Sequence, residues 1–88
     1  MITGGQVRAA RGILKWSVPE LAKHSGVSTP TIHRMEQIDG IAPTRMQTVL
    51  DLKRAFEDAG IEFIGSPEDG PGVRLRSCKT QYNSEQLK

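Results

Sequence analysis

The sequence predicts a mostly α-helical domain, compact and built from four or five helices, that ends in a short β-hairpin or a single edge strand. Three observations support this fold class. Helix-capping residues recur four times before residue 45, and apolar residues follow them at the three- and four-residue spacing of helices. After Gly60 the pattern changes to the alternation that is typical of strands. A chain of 88 residues has room for one small domain.

The first two helices are predicted from complete capping signatures. Thr3 with Gln6 three residues later is the pattern of a capping box, and Ser17 with Glu20 repeats it. Gly26 is placed to end the second helix in a left-handed conformation. The residues expected to face inward in these helices are Val7, Ala10, Leu14, Leu21 and Ala22.

Weaker signals predict the third and fourth helices. Ser28 is the candidate cap of a third helix, which has Pro30 in its first turn, where no amide donor is needed. The fourth helix is expected to begin near Thr44, with Gln47 at capping-box distance, and to end at Gly60. The inward-facing residues are expected to be Ile32 and Met35 in the third helix, and Met46, Val49, Leu50, Phe56 and Ala59 in the fourth.

Two short strands are predicted after the helices, at residues 61–64 and 73–76. The segment between them is rich in glycine and proline and predicts a turn. Residues 77–88 are polar and without periodicity, which predicts a flexible tail.

Composition excludes several classes of protein. The formal net charge is +2, which is compatible with a polyanionic partner without requiring one. No apolar run approaches the roughly 20 residues of a transmembrane helix, so no membrane partner is expected. A lone cysteine, Cys78, cannot form an internal disulfide, and a cytoplasmic location is therefore expected. His24 has no companion ligands for a metal site, and no catalytic grouping stands out, so neither an enzyme nor a cofactor is expected.

Residues 17–37 are the most informative stretch. They combine a short capped helix, a tight Gly26-Val27-Ser28 turn and a second short helix, which together define a helix-turn-helix unit. An α-helix fits the major groove of DNA, where each base pair presents a distinct pattern of donors and acceptors. If Ile32, Met35 and Glu36 face inward, positions 29, 30, 33, 34 and 37 face outward.

Several segments match a known pattern: Val7-Arg8-Ala9-Ala10-Arg11, Trp16-Ser17, Glu20-Leu21-Ala22, Gly26-Val27-Ser28, Thr31-Ile32 and Met35-Glu36. With these residues the chain resembles the XRE type of helix-turn-helix regulator, which includes the lambda-type phage repressors and Cro proteins. The resemblance covers residues 3–59, and residues 60–64 with 72–76 look like a tail of small bacterial members. It implies a lambda-repressor-like fold and a DNA-binding transcriptional regulator, usually a repressor, that acts as a homodimer on double-stranded DNA.

The resemblance also implies roles for individual residues. The helix at 29–37 would read base edges, and the residues in reading positions are Thr29, Pro30, His33 and Arg34. The residues expected to contact phosphates are Ser17, Thr31, Gln37 and Arg45. Arg11 and Glu36 resemble the interhelix ion pair of the family, which implies a structural role. The implied organisation is a DNA-binding domain at 1–60, a hairpin extension at 61–76 that could pair two copies, and the tail at 77–88.

Two departures from the family pattern leave an alternative open. Val18 stands where many members have glutamine, and Pro30 offers neither an amide nor a polar side chain. Both changes weaken the polar reading face. The alternative is a helix-turn-helix module that binds a protein, as an antitoxin or antiactivator does, and has little affinity for DNA. The dimer interface is likewise open between the strands and the end of the fourth helix.

Overall fold

The computed structural model describes residues 2–76. This part of the chain contains four α-helices followed by a two-stranded antiparallel sheet, which confirms the predicted mostly helical class. The elements in chain order are α1 (Gly4–Leu14), α2 (Val18–Ser25), α3 (Thr29–Glu36), α4 (Met46–Asp58), β1 (Ile61–Ile64) and β2 (Gly72–Leu75). The predicted tail at 77–88, with Cys78, lies outside the described residues.

Complete capping boxes begin the first two helices. In α1 the Gln6 amide N–H donates to the Thr3 hydroxyl over 3.0 Å, and the Gln6 side chain accepts from the Thr3 N–H over 2.8 Å. In α2 the Glu20 N–H donates to the Ser17 hydroxyl over 3.2 Å. The Ser17 N–H donates to the Glu20 carboxylate over 2.7 Å and lowers the pKa of that carboxyl. Both helices therefore begin where local sequence predicts.

The start of α4 differs from the prediction. The helix begins at Met46, two residues later than Thr44, and its N-cap is Arg45 in an extended conformation. Gln47 closes no capping box, because its side chain donates along the helix to Asp51 over 2.9 Å. The Thr-x-x-Gln pattern at 44–47 therefore does not mark the start of the helix.

The buried face of α4 also differs from the prediction. Met46 and Leu50 were expected inside, but both side chains are exposed. The residues that are buried in α4 are Val49, Leu52, Ala55 and Phe56. A helix that packs mainly on α2 and β1 buries one narrow stripe, and Met46 and Leu50 lie outside it.

A single apolar core joins the helices to the hairpin. Its fully buried members include Val7, Leu21, Ile32, Met35, Leu52 and Phe56. Phe56 lies at the centre, with its ring 5.9 Å from the rings of both Trp16 and Phe63. Since Ile61 is buried in the same core, the first strand contributes to the packing of the helices.

The hairpin is anchored to α1 by one buried side chain. The Gln6 amide donates to the Gly72 carbonyl over 2.8 Å and to the Ile64 carbonyl over 3.4 Å, so it contacts both strands. In the ladder Ile61 lies opposite Leu75. The second strand runs from 72 to 75, one residue earlier than predicted, and this register places Phe63 and Val73 against the core.

Candidate nucleic-acid interface

The turn between α2 and α3 is fixed by its backbone and by one buried hydroxyl. Gly26 has φ of 78°, and its N–H donates to the Ala22 carbonyl over 2.8 Å. The Ser25 hydroxyl donates to the Leu21 carbonyl over 2.7 Å and accepts from the Val27 N–H over 3.1 Å. These bonds fix the backbone from the end of α2 to Val27, from which the chain enters α3 two residues later.

The α3 helix has one buried and one exposed face. Ile32, Met35 and Glu36 are buried. Four residues on the other face are exposed: Pro30, His33, Arg34 and Gln37. Thr29 and Thr31 are half-buried, and the Thr31 hydroxyl accepts a hydrogen bond from the Ser28 hydroxyl over 2.9 Å. The exposed face is therefore narrower at the start of the helix than the sequence predicts.

A bidentate ion pair connects α1 to the end of α3. The Arg11 guanidinium donates to the two oxygens of the Glu36 carboxylate over 2.8 and 2.9 Å, and also to the Trp16 carbonyl over 3.0 Å. The Arg11 side chain is 26% exposed and that of Glu36 is 9% exposed. Hydrogen bonding to Glu36 raises the pKa of Arg11, against the opposing effect of burial. The pair fixes the orientation of α3 on α1 and leaves both charges compensated.

A polar groove of about 640 Å³ separates the turn and α3 from the start of α4. Its lining residues are Gly26, Val27, Ser28, Thr31, Arg34, Pro43, Thr44, Arg45, Thr48 and Asp51. Arg34 reaches the groove from α3 and Arg45 from the start of α4. Among residues 2–76 this wall holds one carboxylate, that of Asp51, which accepts hydrogen bonds from Gln47 and Arg54. The remaining polar side chains on the wall are hydroxyls, so the groove suits an anion.

The starts of α3 and α4, which lie beside this groove, differ from the starts of α1 and α2. In α3 the Ser28 side chain makes no capping hydrogen bond, and in α4 the Arg45 side chain makes none either. Neither helix has an acidic residue in its first turn. The first amides of a helix lack intrahelical acceptors and carry a partial positive charge. Both starts therefore add positive potential to the side of the domain where Arg34 and Arg45 lie.

The groove brings together three of the residues predicted to contact DNA, namely Thr31, Arg34 and Arg45. The others lie outside its lining: Ser17, Thr29, Pro30, His33 and Gln37. Pro30, His33 and Gln37 continue the exposed face of α3, whereas Ser17 is an exposed N-cap at the start of α2. Arg34 is the residue that belongs to both the exposed face and the groove.

Sequence reasoning missed three residues of this region. Ser25 could have been found from its position directly before the glycine that ends α2. Thr48 could have been found only by placing the buried stripe of α4 correctly, because it lies beside that stripe. Arg8 contacts the end of α3, and its spacing of three residues from Arg11 was the available signal.

Other kinds of site find little support among residues 2–76. In that stretch no three His, Cys, Asp or Glu side chains are grouped so that they could hold a metal ion. His24 stacks on Trp16 with the rings 4.3 Å apart. The helices described here are all too short or too polar to cross a membrane.

Neither a protein-family model nor a curated protein sequence matches the chain. The indications of function therefore come from the geometry of α3 and its groove.

Proposed function

We propose that this protein is a sequence-specific DNA-binding transcriptional regulator of lambda-repressor-like fold, which inserts α3 into the major groove and acts as a cytoplasmic repressor. The observation that carries the proposal is the combination of an exposed α3 face with a groove that holds Arg34 and Arg45. A helix of this kind matches a major groove about 12 Å wide. Occupying a promoter is sufficient for repression and needs no further activity.

Arg34 is the proposed principal reader of base identity. Its guanidinium can donate two parallel hydrogen bonds to O6 and N7 of a guanine, which is a common specific contact in the major groove. It lies on the exposed face of α3, and no hydrogen bond or ion pair within residues 2–76 occupies it. Pro30 and His33 lie on the same face and provide a van der Waals contact and a polar contact respectively.

The groove between α3 and α4 is the proposed phosphate site. A DNA strand that flanks the reading helix would place a phosphate against Arg45, the Thr31 hydroxyl and the amides at the start of α4. Contacts of this kind fix the register of the protein on DNA and carry no sequence information. Arg34 and Arg45 therefore have separable roles, although both line one groove.

Substituting these two arginines separately tests that division. Arg34→Ala is expected to weaken binding to the preferred duplex by about 1–3 kcal/mol and to relax specificity at one base position. Arg45→Ala is expected to weaken all duplexes alike and to lower the salt slope by about one. Fluorescence anisotropy with preferred and random duplexes over a range of salt measures both effects.

Lys23→Ala is the charge-matched control, because Lys23 is exposed on α2 and outside the groove. It should change binding to either duplex little. A uniform loss of affinity in Arg34→Ala, with no change in base preference, would remove Arg34 from the reading role. Binding of a protein partner together with no retention of any duplex would favour the antitoxin or antiactivator alternative.

The edge of β2 that faces away from β1 is the proposed means of forming the homodimer. The Arg76 N–H bonds to the Gly60 carbonyl over 2.8 Å, so the alternation of the ladder directs the N–H and C=O groups of Val73 and Leu75 away from β1. Beyond the ladder, these groups have no hydrogen-bond partner among residues 2–76. Unpaired groups on a strand edge readily pair with a second copy across a two-fold axis.

A lysine at the edge tests this interface. Leu75→Lys is expected to convert the dimer to a monomer, because it adds a third cation beside Arg74 and Arg76 and removes an exposed apolar side chain. Size-exclusion chromatography with light scattering gives the mass directly. Point variants are preferable to deletion of the hairpin, because Ile61 and Phe63 pack in the core.

Two matched variants complete the test. Ile64→Lys places the same charge at a similarly exposed residue of β1 and should leave the dimer intact. Leu50→Lys places the charge on the exposed face of α4, the helix whose end is the other candidate interface. An intact dimer in Leu75→Lys and a monomer in Leu50→Lys would transfer the interface from the hairpin to α4.

A further inference from the structure

The first turn of α1 packs directly on the C-terminal end of α3. The Gly4 N–H donates to the Gly40 carbonyl over 2.9 Å. A Cβ atom at Gly4 would overlap the carbonyl oxygens of Met35 and Ile38, so no side chain fits between the two backbones. The end of α3 therefore rests on a fixed surface of α1.

Arg8 reinforces this contact from the next turn of α1. Its guanidinium donates to the Glu36 carbonyl and to the Asp39 carboxylate. The Glu36 carbonyl has no other hydrogen-bond donor within residues 2–76, as is usual for the last residue of a helix. Since Arg11 binds the Glu36 carboxylate, the last residue of α3 is held through both its backbone and its side chain.

We propose that Arg8 is a positioning residue for DNA recognition, which together with Asp39 sets the angle at which α3 enters the major groove. The inference rests on the proposed function given above. Arg8 contacts the C-terminal end of α3, close to Arg34 in the last turn, whereas Thr29 and Pro30 lie in the first turn. The eight residues of α3 span about 12 Å, so a tilt of about 10° at this end moves its first turn by about 2 Å. A displacement of that size is large enough to disrupt the base contacts expected of Thr29 and Pro30 in that turn.

The contribution of this contact to stability is expected to be small. The Arg8 side chain is 42% exposed and that of Asp39 is 90% exposed, and exposed ion pairs stabilise proteins little. Loss of the contact should therefore affect the orientation of α3 more than the folding of the domain. This difference separates a positioning residue from one that only stabilises the fold.

Two variants with opposite effects on charge provide the test: Arg8→Gln and Asp39→Asn. Removal of a cation weakens binding to any duplex, whereas removal of an anion strengthens it. Both variants nevertheless break the same contact. We expect the ratio of preferred to random duplex affinity to fall about tenfold in both, with the melting temperature nearly unchanged. Arg8→Lys keeps the charge but lacks the forked donors of arginine. It should therefore lower the ratio of preferred to random duplex affinity by less than tenfold.

The outcomes distinguish a direct DNA contact from positioning. If Arg8 binds phosphate itself, Arg8→Gln lowers affinity for both duplexes and Asp39→Asn leaves their ratio unchanged, which overturns the proposal. A fall in melting temperature that accounts for the whole loss in both variants also overturns it. A lower ratio in Asp39→Asn, at higher affinity for random duplex, is the result that positioning requires.

Hydrogen exchange of the free protein separates this inference from the proposed function. The amides of Gln37 and Ile38 bond to the last turn of α3, and they should exchange faster in both variants. The Gly26 amide at the end of α2 should exchange as in the parent protein. Faster exchange in a protein that retains no duplex would contradict the proposed function, while supporting a role for the Arg8 contact in holding the end of α3. Unchanged exchange at Gln37 and Ile38 would contradict that role.

Discussion

Gly4→Ala is expected to destabilise the protein by at least about 2 kcal/mol, a loss of the size produced by overpacking a close contact. The added Cβ would overlap the Met35 and Ile38 carbonyl oxygens, and both are backbone atoms that cannot move without shifting the end of α3. The Gly4 hydrogen bond to the Gly40 carbonyl would be strained at the same time. Thermal or urea unfolding, followed through the fluorescence of Trp16, measures the loss.

Gly12→Ala is the matched control within the same helix. A Cβ at Gly12 meets no atom of the described residues within 4 Å. The same substitution should therefore stabilise α1 by about 0.5–1 kcal/mol, because alanine has the higher helix propensity. Opposite signs for the two variants identify the packing at Gly4 as the cause. Equal effects would show that the contact with α3 is not close.

The second large effect is expected from Glu36→Gln, which keeps the shape of the side chain and removes its charge. The Arg11 guanidinium then loses the carboxylate that compensates its partial burial, and breaking a buried ion pair costs about 3–5 kcal/mol. Because Arg11 retains some exposure to solvent, the lower end of that range is expected. Urea unfolding monitored at Trp16, whose carbonyl also accepts from Arg11, gives the change in free energy.

Glu62→Gln is the matched control for this charge effect. Glu62 pairs with Arg74 on the hairpin surface, where solvent screens the interaction, so little change in stability is expected. The Arg74 guanidinium lowers the pKa of Glu62. Any stabilisation from that pair is therefore present above the ordinary carboxyl pKa and is lost as the pH falls through the lowered value. Similar losses in both variants would contradict a special role for the Arg11–Glu36 pair.

Local chemistry accounts for the parts of the fold that the sequence predicts. The capping boxes at Thr3 and Ser17 and the left-handed Gly26 depend on neighbouring residues, and the structure contains all three. The buried stripe of α3 also follows from helical spacing once its start is known. These elements place the exposed face of α3, which is the main part of the candidate site.

Tertiary contacts determine the parts that could not be predicted. The loop before α4 decides that Arg45, and not Thr44, is the N-cap, and the local pattern at Gln47 does not reveal this. Met46 and Leu50 fit an apolar stripe, but no element within residues 2–76 covers them. Arg8 resembles a solvated surface arginine because its acceptors, at 36 and 39, are about thirty residues away and come close only after folding.

Selection of bound sequences from a random pool of DNA duplexes tests the central proposal most directly. We expect repeated selection at low ionic strength to enrich an inverted repeat with half-site centres about 34 Å apart. We also expect affinity for that repeat to fall steeply as salt rises. A pool with no enriched sequence, and no duplex retained even at low salt, would contradict the assignment of α3 as a helix that reads DNA.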